Sequence, residues 1–170
     1  MKMKLGALVI SILILLVANS CKQDCKDVTC QNGGECTTGG ICNCSGRWGG
    51  LYCDSLCPLG YDGNYCTTLS KTKFIRTWNA STSSSVTGTV QHPLYVTSGG
   101  GPEKIVITNF NNEGFSMIGY MSGKDKFDIV SQNATGTYTG NVNGSGRMSG
   151  ENMTIDLTKQ GVNYFAICNK

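Results

Sequence analysis

Ten cysteines carry most of the chemical potential of this 170-residue chain. A thiol can close a disulfide, bind a metal as thiolate, act as a nucleophile or carry a lipid. Eight of them (Cys25, Cys30, Cys36, Cys42, Cys44, Cys53, Cys57 and Cys66) fall within 42 residues, with Cys21 just before them and Cys168 alone near the end. A zinc site wants two similarly spaced pairs of thiolates, and Cys53 with Cys57 offers only half of one. Eight close cysteines in an exported chain instead predict a disulfide framework, because so short a segment cannot bury a sufficient apolar core. The other candidates are sparse. His92, the only histidine, precedes Pro93 in a stretch that reads as a loop. A triad needs a positioned nucleophile and an orienting acid, and no nucleophile motif accompanies His92. Asp125 and Asp128, around Lys126 and Phe127, read as a solvated turn and strand edge. Cys168 shares strand parity with Tyr164 and Ala166 and reads as a small buried apolar residue. No catalytic residue, metal or cofactor is expected, and the chain is not expected to be an enzyme.

The start of the chain decides the redox setting of those thiols. Lys2 and Lys4 precede an apolar run from Leu5 to Ala18. A membrane span needs about 20 apolar residues, so the run has the proportions of a secretory leader. Ala18-Asn19-Ser20-Cys21 resembles the lipobox of bacterial lipoproteins, in which small residues precede a cysteine that is acylated and becomes the first residue. The following Lys22-Gln23-Asp24 resembles the charged export tag of Bacteroidota lipoproteins. The resemblance implies a signal peptide over 1–20, a lipidated tether over 21–24 and an outer-membrane location facing periplasm or surface. Several acyl chains hold a protein on a bilayer where one gives only marginal binding. Ordinary secretion, with Cys21 in a disulfide, is the alternative.

The cysteine block over 25–66 follows the spacing C-x4-C-x5-C-x5-C-x-C-x8-C and then adds two more cysteines. With the Cys42-Asn43-Cys44 pair, Gly50 before Cys53, and the Asn-Gly turn of Gln31-Asn32-Gly33-Gly34-Glu35-Cys36, it resembles an EGF-like module. Six cysteines alone permit 15 connectivities. The resemblance implies Cys25–Cys36, Cys30–Cys42 and Cys44–Cys53. Residues 44–53 and 57–66 also align with each other: Trp48 matches Tyr61, Gly50 matches Gly63 and Tyr52 matches Tyr65. The terminal loop is thus duplicated, with Cys57–Cys66 as a fourth bridge, a plan that resembles the eight-cysteine laminin-type EGF repeat. Calcium-binding relatives carry an acidic or amide consensus before the first cysteine, which Lys22-Gln23-Asp24 lacks.

After a linker over 67–70, residues 71–170 read as strands and turns. Val142, Gly144, Gly146 and Met148 alternate with Asn143, Ser145 and Arg147, and Met153, Ile155 and Leu157 alternate with Thr154 and Asp156. Period-two alternation with one polar face is what an antiparallel sheet with one wet side requires. Glycines on the inner face leave room for bulky neighbours or permit tight coiling. Further strands are expected at 74–78, 86–90, 104–110, 115–121, 127–130 and 162–168, with the strand around Val142 beginning at Tyr138. Seven or eight short strands with no helical period predict an all-β fold, an antiparallel up-and-down barrel or a sandwich. Phe74-Ile-Arg-Thr-Trp-Asn79 is similar to the opening strand of lipocalin-like barrels, whose tryptophan plugs the base. The whole arrangement resembles Bacteroidota lipoproteins with an EGF-like module before a small lipocalin-like domain.

The chain after Cys21 has net charge +1, too small for nucleic-acid binding by field alone. The expected function is a non-catalytic binding or adhesion role. The acylated Cys21 holds a bilayer, the module serves as a stalk, and the β domain presents a face to an unidentified protein or glycan. A carrier of a small apolar ligand and a small hydrolase inhibitor are the alternatives.

Overall fold

The computed structural model describes residues 25–170. The expected leader and Cys21 lie outside them. The disulfide module opens with a short 3-10 turn, Cys25–Asp27, and then forms three small antiparallel pairs. These are β1 (Glu35–Thr37) with β2 (Ile41–Asn43), β3 (Trp48–Gly49) with β4 (Ser55–Leu56), and β5 (Tyr61–Asp62) with β6 (Thr68–Leu69). Bridges join Cys25 to Cys36, Cys30 to Cys42, Cys44 to Cys53 and Cys57 to Cys66. The module's small core consists largely of these sulfurs, with Val28 and Trp48 packed against Cys42, Cys44 and Cys53. The two matching loops touch, since the Gly50 N–H donates to the Asn64 carbonyl at 2.6 Å.

Residues 76–169 form a closed barrel of eight antiparallel strands. They are β7 (Arg76–Ser84), β8 (Gly88–Ser98), β9 (Lys104–Thr108), β10 (Ser116–Gly123), β11 (Lys126–Asn133), β12 (Asn141–Ser149), β13 (Asn152–Lys159) and β14 (Val162–Asn169). Each strand pairs with its sequence neighbour, and β14 closes on β7 from Tyr164↔Ser84 to Asn169↔Asn79. Closure leaves no unpaired sheet edge, which decides for a barrel over a sandwich.

Along β14, Tyr164, Ala166 and Cys168 are buried while Asn163, Phe165 and Ile167 face out, as the alternation predicts. Gly146 on β12 faces inward, and a Cβ there would overlap the ring of Phe127. Phe127 in turn packs edge-on to Phe74 at 5.3 Å.

One end of the barrel is closed by Trp78, whose indole N–H donates to the Phe74 carbonyl at 2.9 Å. The Arg76 guanidinium lies 5.0 Å from the Trp78 ring. The disulfide module meets the barrel at this same end. Gly60, at φ +87°, abuts Pro102, and a Cβ there would sit 2.6 Å from the Pro102 carbonyl carbon. Lys73 bonds Asp62 of the module at 3.3 Å and Asp125 of the barrel at 2.7 Å. Buried Lys71 donates to Ser98 Oγ at 2.8 Å and to the Gly101 carbonyl at 2.5 Å.

Several boundaries differ from the sequence expectation. His92 and Pro93 do not lie in a loop; both belong to β8, which runs far beyond the expected 86–90. Proline cannot donate to a ladder and survives where a neighbour is missing. β9 pairs with β8 only from Tyr95 to Ser98, so the β9 side of Pro93 has no partner strand. Val86 sits exposed in the turn before β8. Phe74, Phe110 and Phe115 are buried from turns instead of strands, and Tyr138 precedes β12. Aromatic burial at the barrel ends, without strand pairing, accounts for these shifts.

Candidate functional site

Two regions of the barrel gather polar side chains. The first is the mouth opposite the disulfide module, bounded by the turns at 84–88, 109–115, 134–140 and 160–161. Lys159 follows Met153, Ile155 and Leu157 on the inner face of β13 and is itself buried. A buried ammonium must be paired, and Lys159 Nζ is bonded to Glu113. The same ammonium lies 4.8 Å from the Tyr138 ring, 5.4 Å from Tyr164 and 5.6 Å from Phe115, within cation–π range of each. Glu113 is delivered by the β9–β10 connection, in which Asn109, Asn111 and Asn112 adopt left-handed φ. Asparagine tolerates that region better than most residues. Asn109 Nδ2 ties the connection to the Pro93 carbonyl at 2.8 Å. Asn111 is buried and donates to Glu113 at 2.9 Å, while its Oδ1 has no protein partner.

His92 lines the same end. Its Nδ1 lies 3.2 Å from the Pro93 carbonyl, which can only accept, so Nδ1 carries the proton. Nε2 therefore accepts from the Thr82 hydroxyl at 2.8 Å. Burial pulls the imidazole pKa below its ordinary value of 6.5, against smaller opposing effects of backbone hydrogen bonds at Pro93 and Asn109. A hydroxyl on a neutral histidine has the outline of a nucleophile and base. Thr82, however, is fully buried, and Phe110 packs over His92 with ring centroids 6.4 Å apart. The pair holds β7 to β8 inside the wall and offers no open side to a substrate.

The second region is the outer wall over β11–β14. A hollow of about 320 Å³ is lined by Lys126, Asp128, Ser145, Gly146, Arg147 and Asp156. A second, of about 250 Å³, shares Ser145 and Asp156 with it and runs on to Thr158 and Asn163. A third, of about 240 Å³, lies on the wall between β10 and β11 near Ile118 and Gln132. There the β10–β11 ladder stops at Tyr120↔Asp128, and the Gln132 amide bonds the Ile118 N–H at 2.9 Å and C=O at 2.7 Å in place of a strand. These three hollows involve wall residues. The interior is occupied by Trp78, Phe74, Phe110, Phe115 and Phe127, all essentially inaccessible. A carried ligand needing roughly 300 Å³ would have to displace them.

The residues singled out in the sequence are dispersed over the molecule. Cys21 lies outside the described residues. The eight module cysteines form the four bridges. Cys168 is a buried free thiol inside β14, its pKa pushed up to about 12 by burial. Asp125 bonds Lys73 at the junction, and Asp128 borders the wall hollow of about 320 Å³. Among the described residues, no group of three or more His, Cys, Asp or Glu side chains converges as a metal site would. Lys159 and Thr82, two inward-facing polar residues, were passed over in the sequence, and His92, a third, was assigned to a loop. The signal was present for Lys159, which continues the parity of Met153, Ile155 and Leu157.

No family model matches the chain, and no curated protein matches it. A solved structure of a redesigned β barrel is similar, at 14% identity over 59% of this chain and 94% of that one, with a TM-score of 0.46.

Proposed function

We propose that this chain is an exported, membrane-anchored lipoprotein with a non-catalytic binding role. Cys21 carries the acyl anchor in the outer membrane, the EGF-like module spaces the barrel from the bilayer, and the barrel presents the binding face. One observation carries the reading. The module meets the barrel at the end closed by Phe74 and Trp78, through Gly60–Pro102 and the Asp62–Lys73–Asp125 bridge. A tether leading into Cys25 therefore reaches the barrel through its closed end, and the opposite mouth and outer wall stay free. Four disulfides within the module suit the oxidising conditions outside the cytoplasm. The buried Thr82–His92 pair and the buried Cys168 thiol favour binding over catalysis.

Site-directed photocrosslinking in the intact envelope tests this. A photoreactive side chain at Val130 or Tyr95, both exposed on the barrel, should capture partner material. The same probe at Leu59 in the module should capture little. Capture from Leu59 alone would contradict the assignment of the binding face to the barrel.

A further inference from the structure

The register of the outer wall places charges in two rows. Asp128 lies opposite Ser145, and Ser145 lies opposite Asp156. One row away, Lys126 lies opposite Arg147, and Arg147 opposite Thr154. Adjacent strands are about 4.8 Å apart, so the two aspartates flank Ser145 across roughly 10 Å. The rows are two residues apart along each strand, or about 6.7 Å. The small Ser145 thus forms the floor of a trough with carboxylates on both sides and cations at one end. Its two connected hollows measure about 320 and 250 Å³. Among the described residues, none of these four charges enters an ion pair within 4.0 Å. Thr154 Oγ1, in the row of Arg147, is shielded from solvent and has no protein partner. Phe165 lies opposite Asp156 and leaves part of its ring exposed.

We propose that this trough is a saccharide-binding site for an acidic, uronate-type sugar chain; the assignment rests on the binding role proposed above. A pyranose bearing a carboxylate presents an anion at one edge and vicinal hydroxyls at another, matching the two rows. Arg147 takes the carboxylate through its forked N–H donors, with Lys126 beside it. Asp128 and Asp156 have only acceptor oxygens and receive hydroxyl protons, while Ser145 both donates and accepts. The exposed part of Phe165 takes the apolar C–H face of the ring. A protein partner would call instead for aromatic anchors in a dry central pocket, with charges depleted there. The floor of this trough is polar and its charges are central.

The test is calorimetric titration of the full-length protein in detergent with a tetragalacturonate oligosaccharide. The proposal expects saturable binding that weakens about tenfold or more in Arg147→Met, the scale of one lost charge-assisted hydrogen bond. The same loss is expected in Ser145→Phe, which fills the trough from an exposed position, and for the carboxyl-reduced, neutral tetrasaccharide. Arg147→Met alone decides the matter if Ser145→Phe misfolds. Absence of saturable binding by wild type, or undiminished affinity in Arg147→Met, overturns the proposal. Equal competition by a tetraglutamate peptide overturns the assignment to a sugar. Photocrosslinking from Val130 that persists when the oligosaccharide fails to bind would sink the trough and spare the binding role.

Discussion

Gly60 of the disulfide module and Pro102 of the β8–β9 connection are in backbone contact. Gly60 combines a left-handed φ of +87° with space for no Cβ, which would sit 2.6 Å from the Pro102 carbonyl carbon. The Ser70 N–H also donates to the Gly60 carbonyl, at 2.9 Å, where the chain turns into the barrel. Gly60→Ala is therefore expected to loosen the module from the barrel without unfolding either. Limited proteolysis should show faster cleavage between Cys66 and Arg76, with the barrel fragment intact. Unchanged cleavage would mean that the contact does not hold the junction.

A second glycine tests the packing inside. A Cβ at Gly146 would overlap Phe127, and overpacking of this kind costs about 1–3 kcal/mol. Gly146→Ala should lower stability by that amount in urea. Phe127→Leu combined with it should recover part of the loss, because the two sites share one space. Additive losses would show that the ring does not rest on this glycine.

His92 predicts a pH dependence of stability. Its folded pKa lies below the ordinary value of 6.5, because burial disfavours the charged imidazolium. Between the folded and unfolded values, the unfolded chain binds a proton that the folded chain does not. Stability therefore rises with pH through that window and is lost as pH falls below 6.5 toward the folded value. Urea unfolding between about pH 7.5 and pH 5.5 should show a smaller pH dependence for His92→Gln than for wild type. Equal slopes would show that His92 does not set the pH dependence.

Cys168 should be chemically silent in the native protein. Burial holds its pKa near 12, and the thiolate is the reactive form. A thiol reagent should label it slowly in buffer and promptly in denaturant, at one equivalent per chain. Fast native labelling would contradict its placement inside β14.

The division of the chain was legible because its signals are local. Cysteine spacing and the offset between residues 44–53 and 57–66 mark the disulfide module. The parity of Val142 to Met148 and of Met153 to Leu157 marks two walls of the barrel. Two things resisted. Pro93 argued for a loop, and only the short reach of β9 explains its place in a strand. The trough over Ser145 depends on register across β11, β12 and β13, so Asp128 and Asp156 look unrelated along the chain. Closure between β14 and β7 is a long-range pairing of the same kind, invisible to any short window.

Metabolic labelling tests the proposed lipid tether at Cys21. Cells grown with radiolabelled palmitate should incorporate label into the wild-type protein and not into Cys21→Ser. The labelled protein should fractionate with the outer membrane. Unlabelled wild-type protein recovered from the soluble fraction would rule out the lipid anchor.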